Sequence, residues 1–280
     1  MGINSFHCSV ASAMLLAIDI GNTSIQMGLW DGAEWLHIWR IQTDKDQTAA
    51  DYVARIRQLF QRAAILPAVV RSGVMSSVVP SLTDPFHQAF SELFSLVPLT
   101  IRHDMPGIQV NIDQPEQAGA DRLVNAAAAH ALYGGPAIVI DFGTATNFDV
   151  VSPQGAYIGG AIAPGMQMAH DALVQAAARL QPVEIAPPPQ VIGRNTVHAM
   201  QSGIFWGYLS LIEGLVQRLR AELIVQGIPS PKIIASGGYA NVLAQHLPDL
   251  IDVTAPNLLL DGLRIIHDCC NPTRSQAKQP

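Results

Sequence analysis

The sequence predicts an α/β protein of two duplicated domains, each a mixed sheet flanked by helices, with a cleft between them. Three observations carry this. First, Ala137-Ile138-Val139-Ile140-Asp141-Phe142-Gly143-Thr144-Ala145-Thr146 repeats the pattern of Leu15-Leu16-Ala17-Ile18-Asp19-Ile20-Gly21-Asn22-Thr23-Ser24. Each copy is an aliphatic run too short for a helix, which delivers an aspartate and then turns at a glycine. Second, short apolar runs alternate with stretches of helical spacing, which is an α/β plan. Third, 280 residues with 49% hydrophobic and 14% charged residues hold ample apolar material for one large or two medium cores. The expected division is 1–13 as a leader, 14–135 and 136–268 as the two domains, and 269–280 as a tail.

The elements follow in order. Leu15 to about Thr43 reads as strand, turn, strand, turn, strand, with Asp31-Gly32 at the second turn. Tyr52, Val53, Ile56, Leu59 and Phe60 recur at helical spacing within 49–64, and Pro67 closes that helix. Residues 69–79 return to a strand carrying Ser76 and Ser77, and a helix is expected over 84–94. Residues 103–116, with Pro106, Gly107 and Pro115, form a long irregular segment of the kind that binds ligands. Leu123–Tyr133 is alanine-rich and helical, so Asp121 falls at a helix start, as a simple cap or as a functional carboxylate.

In the second copy, 147–151 and 156–161 make a hairpin around Pro153-Gln154-Gly155. Gly159 to Gly165 then leads into a helix over 166–180, as an anion-binding loop or a close-packed turn. Residues 181–193 are proline-rich and expected to be an exposed, mobile flap. Asn195 and Thr196 precede a helix over 197–223, where a hydroxyl is the expected cap. A strand over 231–235 delivers Ser236-Gly237-Gly238, whose glycines let the backbone approach a flat ligand or only make a turn. Helices over 239–246 and 258–269 complete the chain.

The repeated turn suits nucleotide phosphates. Glycine lets backbone N–H groups approach phosphate oxygens, and Asn22, Thr23, Thr144 and Thr146 add donors. The aspartates would repel phosphate unless a cation intervenes, and a lone D-x-G is also an ordinary hairpin turn. Net charge is -6 with 16 Lys+Arg and no dense basic cluster, which argues against nucleic acid or an acidic membrane as partner. No apolar run reaches the ~18 residues of a membrane span. Cys8, Cys269 and Cys270 have neither metal nor disulfide-framework spacing and fit a reducing cytosol. The histidines have no ligand spacing and read as packing or surface. The nucleotide loop G-x-x-x-x-G-K-[ST], the dinucleotide motif G-x-G-x-x-G and a serine nucleophile elbow are all missing.

Asp19-Ile20-Gly21-Asn22-Thr23, Ser76-Ser77-Val78-Val79-Pro80, Gly119-Ala120-Asp121-Arg122, the Asp141 to Thr146 stretch, Gly159 to Gly165 and Ser236-Gly237-Gly238, in this order, resemble the type III pantothenate kinases. That family belongs to the actin, Hsp70 and sugar-kinase superfold, with actin-like (ribonuclease H-like) domains. The resemblance runs from about Met14 to Asp268. It implies ATP-dependent phosphorylation of the primary hydroxyl of pantothenate, the first step of coenzyme A synthesis, by a cytoplasmic homodimer.

By position, Asp19, Ile20, Gly21, Asn22, Thr23, Ser24, Ile25 and Gln26 would cradle the phosphates of ATP, with Thr144 and the Ser236-Gly237-Gly238 turn also on the nucleotide. Asp19 would orient Mg²⁺ through the phosphates. Asp141 would hold a monovalent cation, K⁺ or NH₄⁺. Gly119, Ala120, Asp121 and Arg122 would bind pantothenate, Asp121 as base or aligner of the hydroxyl and Arg122 on the carboxylate. Thr196 would touch substrate. Two departures stand out: Ile112 occupies the place of a tyrosine that lines the family's substrate pocket, and Asn147 that of a threonine. Ile112 alters that pocket and leaves open another small alcohol or acid as acceptor. A non-catalytic nucleotide-binding regulator would have no need of the Asp121-Arg122 pair.

Overall fold

The computed structural model describes residues 13–228 and 230–272. Residues 1–12 of the expected leader and 273–280 of the expected tail lie outside the described residues. The chain divides into two compact units, one running to Ile101 and one from Arg102.

The first unit begins with β1 (Met14–Ile20), β2 (Ser24–Trp30) and β3 (Trp35–Gln42), an antiparallel meander. Next comes α1 (Ala49–Arg62), which starts at a capping box: Thr48 Oγ1 accepts from the Asp51 N–H, and the Asp51 carboxylate accepts from the Thr48 N–H. It buries Tyr52, Val53, Ile56 and Phe60, the stripe its periodicity predicts.

β4 (Val70–Ser77) runs parallel to β1, α2 (Pro80–Phe94) returns, and β5 (Leu99–Thr100) pairs with β4. The helix expected at 84 starts at Pro80 instead, because proline at the first helical position gives up only an N–H that would lack a partner anyway. Gly73 on β4 lies against the Phe90 ring of α2, where a Cβ would collide.

The second unit repeats this plan. α3 (Ala120–Tyr133) precedes β6 (Ala137–Phe142), β7 (Ala145–Val151) and β8 (Tyr157–Pro164), another antiparallel meander. α4 (Met166–Ala176) and the long α5 (Thr196–Val225) cover it. β9 (Lys232–Ser236) runs parallel to β6. α6 (Ala240–Ala244), β10 (Val253–Thr254) and α7 (Leu258–Cys270) close the unit.

The two sheets have the orders β3-β2-β1-β4-β5 and β10-β9-β6-β7-β8, so the repeat read in the sequence is a repeat of topology. This is the actin-like α/β arrangement. Each unit has its own core, centred on Ile18, Phe86 and Phe90 in the first and on Ile140, Phe148 and Ile212 in the second.

Other expectations also differ from what is found. The units part at 101/102 and not at 135/136, because the alanine face of α3 packs on β6, β7 and α7 of the second unit. The 103–116 segment is irregular, as expected, and is tied to β8: the Asn111 N–H donates to Tyr157 O, and the Tyr157 N–H to Gln109 O, both at 2.8 Å. The 181–193 segment is pinned, with the Val183 N–H donating to His170 Nε2, Gln201 to Glu184 O, and Val183 and Ile185 packed on the core. The C-terminal helix extends one residue further than expected, to Cys270. Among the described residues, no helix is long and apolar enough to cross a membrane.

Candidate active site

In both units the aspartate of the repeat sits at the penultimate position of the sheet's central strand. Asp19 lies opposite Gln26 on β2 and Ser76 on β4, and Asp141 opposite Asn147 on β7 and Ser236 on β9. A parallel neighbour ending in serine at the same level is thus part of the duplication. In the first unit Ser76, fully buried, donates its hydroxyl to Asp19 Oδ1 at 2.7 Å.

The turn after Asp19 is closed by the Gly21 N–H on Ser24 O, where a side chain at 21 would crowd Ser24 O at 2.9 Å. Thr43 braces it from outside: its hydroxyl donates to Gly21 O at 2.6 Å and its N–H to Thr23 O. Ile20 and Ile25 are fully buried, so of the eight residues expected to cradle phosphate these two offer backbone only. Two cations border the turn, Lys45 on Asn22 Oδ1 at 3.1 Å and Arg40 on Gln26 Oε1 at 3.3 Å. Sequence reading missed both, since each comes from the neighbouring strand or the loop after it.

In the second unit the corresponding turn is closed by the Gly143 N–H on Ala145 O, and Gly165 packs on Thr144, its N–H donating to Thr144 O at 3.1 Å. Gly237, at φ +88°, lies so near Asp141 that a Cβ would come within 2.5 Å of Oδ1 and 2.7 Å of Phe142 O. Ser236 and Gly237 therefore belong to the Asp141 turn, and Gly238 follows them into α6. Gly159 and Gly160 lie within β8 and not in a loop, and Gly160 has no room for a Cβ against Phe148 O. Close packing explains Gly160, and a backbone φ of +114° explains Gly159. Thr146 is not an available donor, because it is fully buried and shares a 2.6 Å hydrogen bond with the Tyr208 hydroxyl.

Asp121 stands in the first turn of α3 after Gly119, which has no side chain where one would meet the Asp121 carboxylate. Its Oδ1 accepts from the Arg122 N–H at 2.9 Å. Burial raises its pKa above the ordinary carboxylate value, outweighing the N–H groups that lower it.

One turn along the same face, Asn125 is buried and donates to Asp141 Oδ2 at 3.1 Å. Its own Oδ1 is buried with no protein partner. The helix that carries Asp121 is thereby tied to the Asp141 turn, a link that the i, i+4 spacing of 121 and 125 could have signalled.

Arg122 has a protein partner that the sequence did not point to. Its Nε donates to Asp149 Oδ1 at 2.6 Å, and its guanidinium lies 5.3 Å from the Tyr157 ring centre. Nε is thus occupied, while Nη2 is buried without a protein partner. Asp149 is fully buried, which raises its pKa to about 7 against the pull of Arg122. Arg122 in turn is held above its ordinary value by the Asp149 charge, despite burial, and keeps its proton. Burial raises the Tyr157 hydroxyl to about 12, so it stays neutral. The signal for Asp149 was a carboxylate inside the apolar strand Phe148-Asp149-Val150-Val151.

Ile112 lies beside this group, about 4.0 Å from a Cβ placed on Gly159. Thr196 does not join it by any hydrogen bond among the described residues: it is exposed at the start of α5, and the cap is Asn195, whose Oδ1 accepts from the His198 N–H at 2.8 Å. A cavity of about 580 Å³ opens on the other flank of the second unit, between the β7–β8 hairpin and the end of α5, with Gly159 and Gly160 in its wall.

The sequence profile of a family described as type III pantothenate kinase matches residues 15–218. The chain belongs to this family. It is 44% identical over 256 residues to a type III pantothenate kinase from Roseiflexus castenholzii, covering 91% of this chain and 98% of that one. It is 46% identical over 254 residues to another from Acidiphilium cryptum, covering 90% and 94%. Among solved structures, component A of the (R)-2-hydroxyglutaryl-CoA dehydratase of Acidaminococcus fermentans superposes with a TM-score of 0.54 at 13% identity, over 95% of this chain and all of that one. At that identity the likeness is one of fold alone. Family membership gives the Asp121, Asp141 and Arg122 group a chemical frame.

Proposed function

We propose that the protein transfers the γ-phosphoryl group of ATP to the primary hydroxyl of pantothenate, giving 4'-phosphopantothenate at the entry to coenzyme A synthesis. The observation that carries this reading is the half-buried Asp121, held at a helix start beside the charged Arg122 and raised above the usual carboxylate range. A carboxylate with its free oxygen at such a place aligns an alcohol and accepts its proton as the phosphorus–oxygen bond forms. A loose transition state asks mainly for positioning, and Gly119, Ala120 and Arg122 supply it for the acceptor. The guanidinium of Arg122, held by Nε, is the donor suited to the acid end of pantothenate.

The Asp19 to Gln26 turn offers backbone N–H groups and a carboxylate whose Oδ1 is already turned by Ser76, which suits the phosphates of ATP with a divalent ion such as Mg²⁺. That ion neutralises phosphate charge when bound. Thr144, Ser236, Gly237 and Gly238 border the corresponding turn. The donor set around Asp141 fits a monovalent cation, K⁺ or NH₄⁺: a carboxylate with the orphan amide oxygen of Asn125 on the adjoining side chain supplies hard oxygens of low total charge. Thr196, exposed on a long helix, suits contact with substrate in a homodimer, and the setting of this chemistry is the cytoplasm.

The test is ADP release by the purified protein with ATP and Mg²⁺, with and without pantothenate, in K⁺ and then in Na⁺. Pantothenate-dependent release that falls in Na⁺ is expected. No pantothenate-dependent release in K⁺ would point to another small acceptor or to a nucleotide-binding regulator, with Ile112 as the first position to examine.

A further inference from the structure

We infer that Asp149 is a positioning residue for the acceptor: it holds Arg122 by Nε above β8, so that the terminal nitrogens of the guanidinium are kept for the acid group of the acceptor next to Asp121. This rests on the reading of the protein as a kinase of an acidic alcohol. The geometry comes from strand register. Asp149 on β7 lies directly across from Gly160 on β8, and a Cβ on Gly160 would sit 3.1 Å from Arg122 Nη2. The absent side chain is the channel through which the guanidinium reaches over the strand to Asp149. Tyr157, after a slip in the β7–β8 register, supplies the ring beneath it.

A bridge built only for stability would close on itself. Here one nitrogen of the fork is used at 2.6 Å, while Nη2 and the second Asp149 oxygen stay buried with no protein partner. Leaving a charged donor buried and unpaired is costly, and an anion at Nη2 removes the cost. A fully buried carboxylate also holds its partner closely, because no other described cation is paired with Asp149. Asp149 touches no reacting atom. It acts through Arg122, by keeping Nε occupied and the two terminal nitrogens aimed.

The experiment uses the full chain and Asp149→Asn, which keeps the size and an oxygen able to accept from Nε but removes the charge. Initial rates are measured with pantothenate and with pantothenol, in which an alcohol replaces the acid. Expected is a roughly tenfold rise in KM for pantothenate, with kcat, the KM for ATP and the KM for pantothenol each within about twofold, the size of effect a lost charge-assisted contact produces. An equal loss with both acceptors would mark a merely structural bridge and overturn the inference.

Asp149→Ser, which also removes the charge and leaves Arg122 in place, should give the same acid-selective loss, so the inference is decided even if Asp149→Asn does not fold. If the native protein turns over no pantothenate, the kinase reading fails separately. Calorimetric titration with pantothenate then decides the positioning role: weaker binding to Asp149→Asn supports it, and unchanged binding overturns it.

Discussion

Asp121 combines two opposed influences, an N–H group and helix start that favour its anion, and burial that disfavours it. Burial prevails, and its pKa is raised. A base with a raised pKa is ionised only above that value, so kcat should fall as pH drops through a limb lying above the ordinary carboxylate range; a pH profile with its acid limb at or below about 4 would contradict this. Asp121→Asn should cost about 10²–10⁴ in kcat while ATP still binds, measured by turnover and nucleotide titration. Asp149 has a linked effect on stability. Its pKa rises from 3.8 to about 7 on folding, so the folded state binds the extra proton in that window; the contribution is full below about 4 and lost as pH rises through about 7. Denaturant unfolding at pH 5 and 7.5 should therefore show Asp149→Asn gaining relative to the native protein at the higher pH.

At the scale of elements, what places Asp121 is α3, and what places α3 is its packing on α7. Gly262 of α7 lies against Val124 O and the Ala128 methyl, so a Cβ there has no room. Gly262→Val should destabilise the protein by about 1–3 kcal/mol as an overpacked contact, and lower kcat more than the KM for ATP, because it shifts the helix that carries Asp121 and Asn125. A thermal melt with parallel kinetics checks both. Helix α1 and the strands of the repeat were legible because a capping box, a 3.6-residue stripe and aliphatic runs are local signals. The start of α2 and the pinning of 103–116 and 181–193 were not, since they depend on a proline at a permitted position and on partners distant in sequence.

At the scale of the molecule, two units with separate cores imply that damage to one core registers first in that unit. Phe86→Ala, which empties a fully buried ring site, should cost about 3–5 kcal/mol and raise amide exchange across β1, β2 and β4 well before β6, β7 and β9. Hydrogen exchange followed by peptide mapping would show it, and uniform loss across both sheets would refute it.

The sequence by itself determined the duplication, the strands that deliver Asp19 and Asp141, the glycine turns and Asp121 at a helix start, because these rest on short-range spacing and on what each residue type permits. Only the tertiary structure decided that Arg122 is held by Asp149, that Asn125 reaches Asp141, that Thr146 is spent on Tyr208 and that α3 belongs with the second sheet. Each of these joins residues brought together by strand register or helix packing. A buried polar group takes whichever partner the packing brings within hydrogen-bond reach, and that partner is not written beside it in the chain.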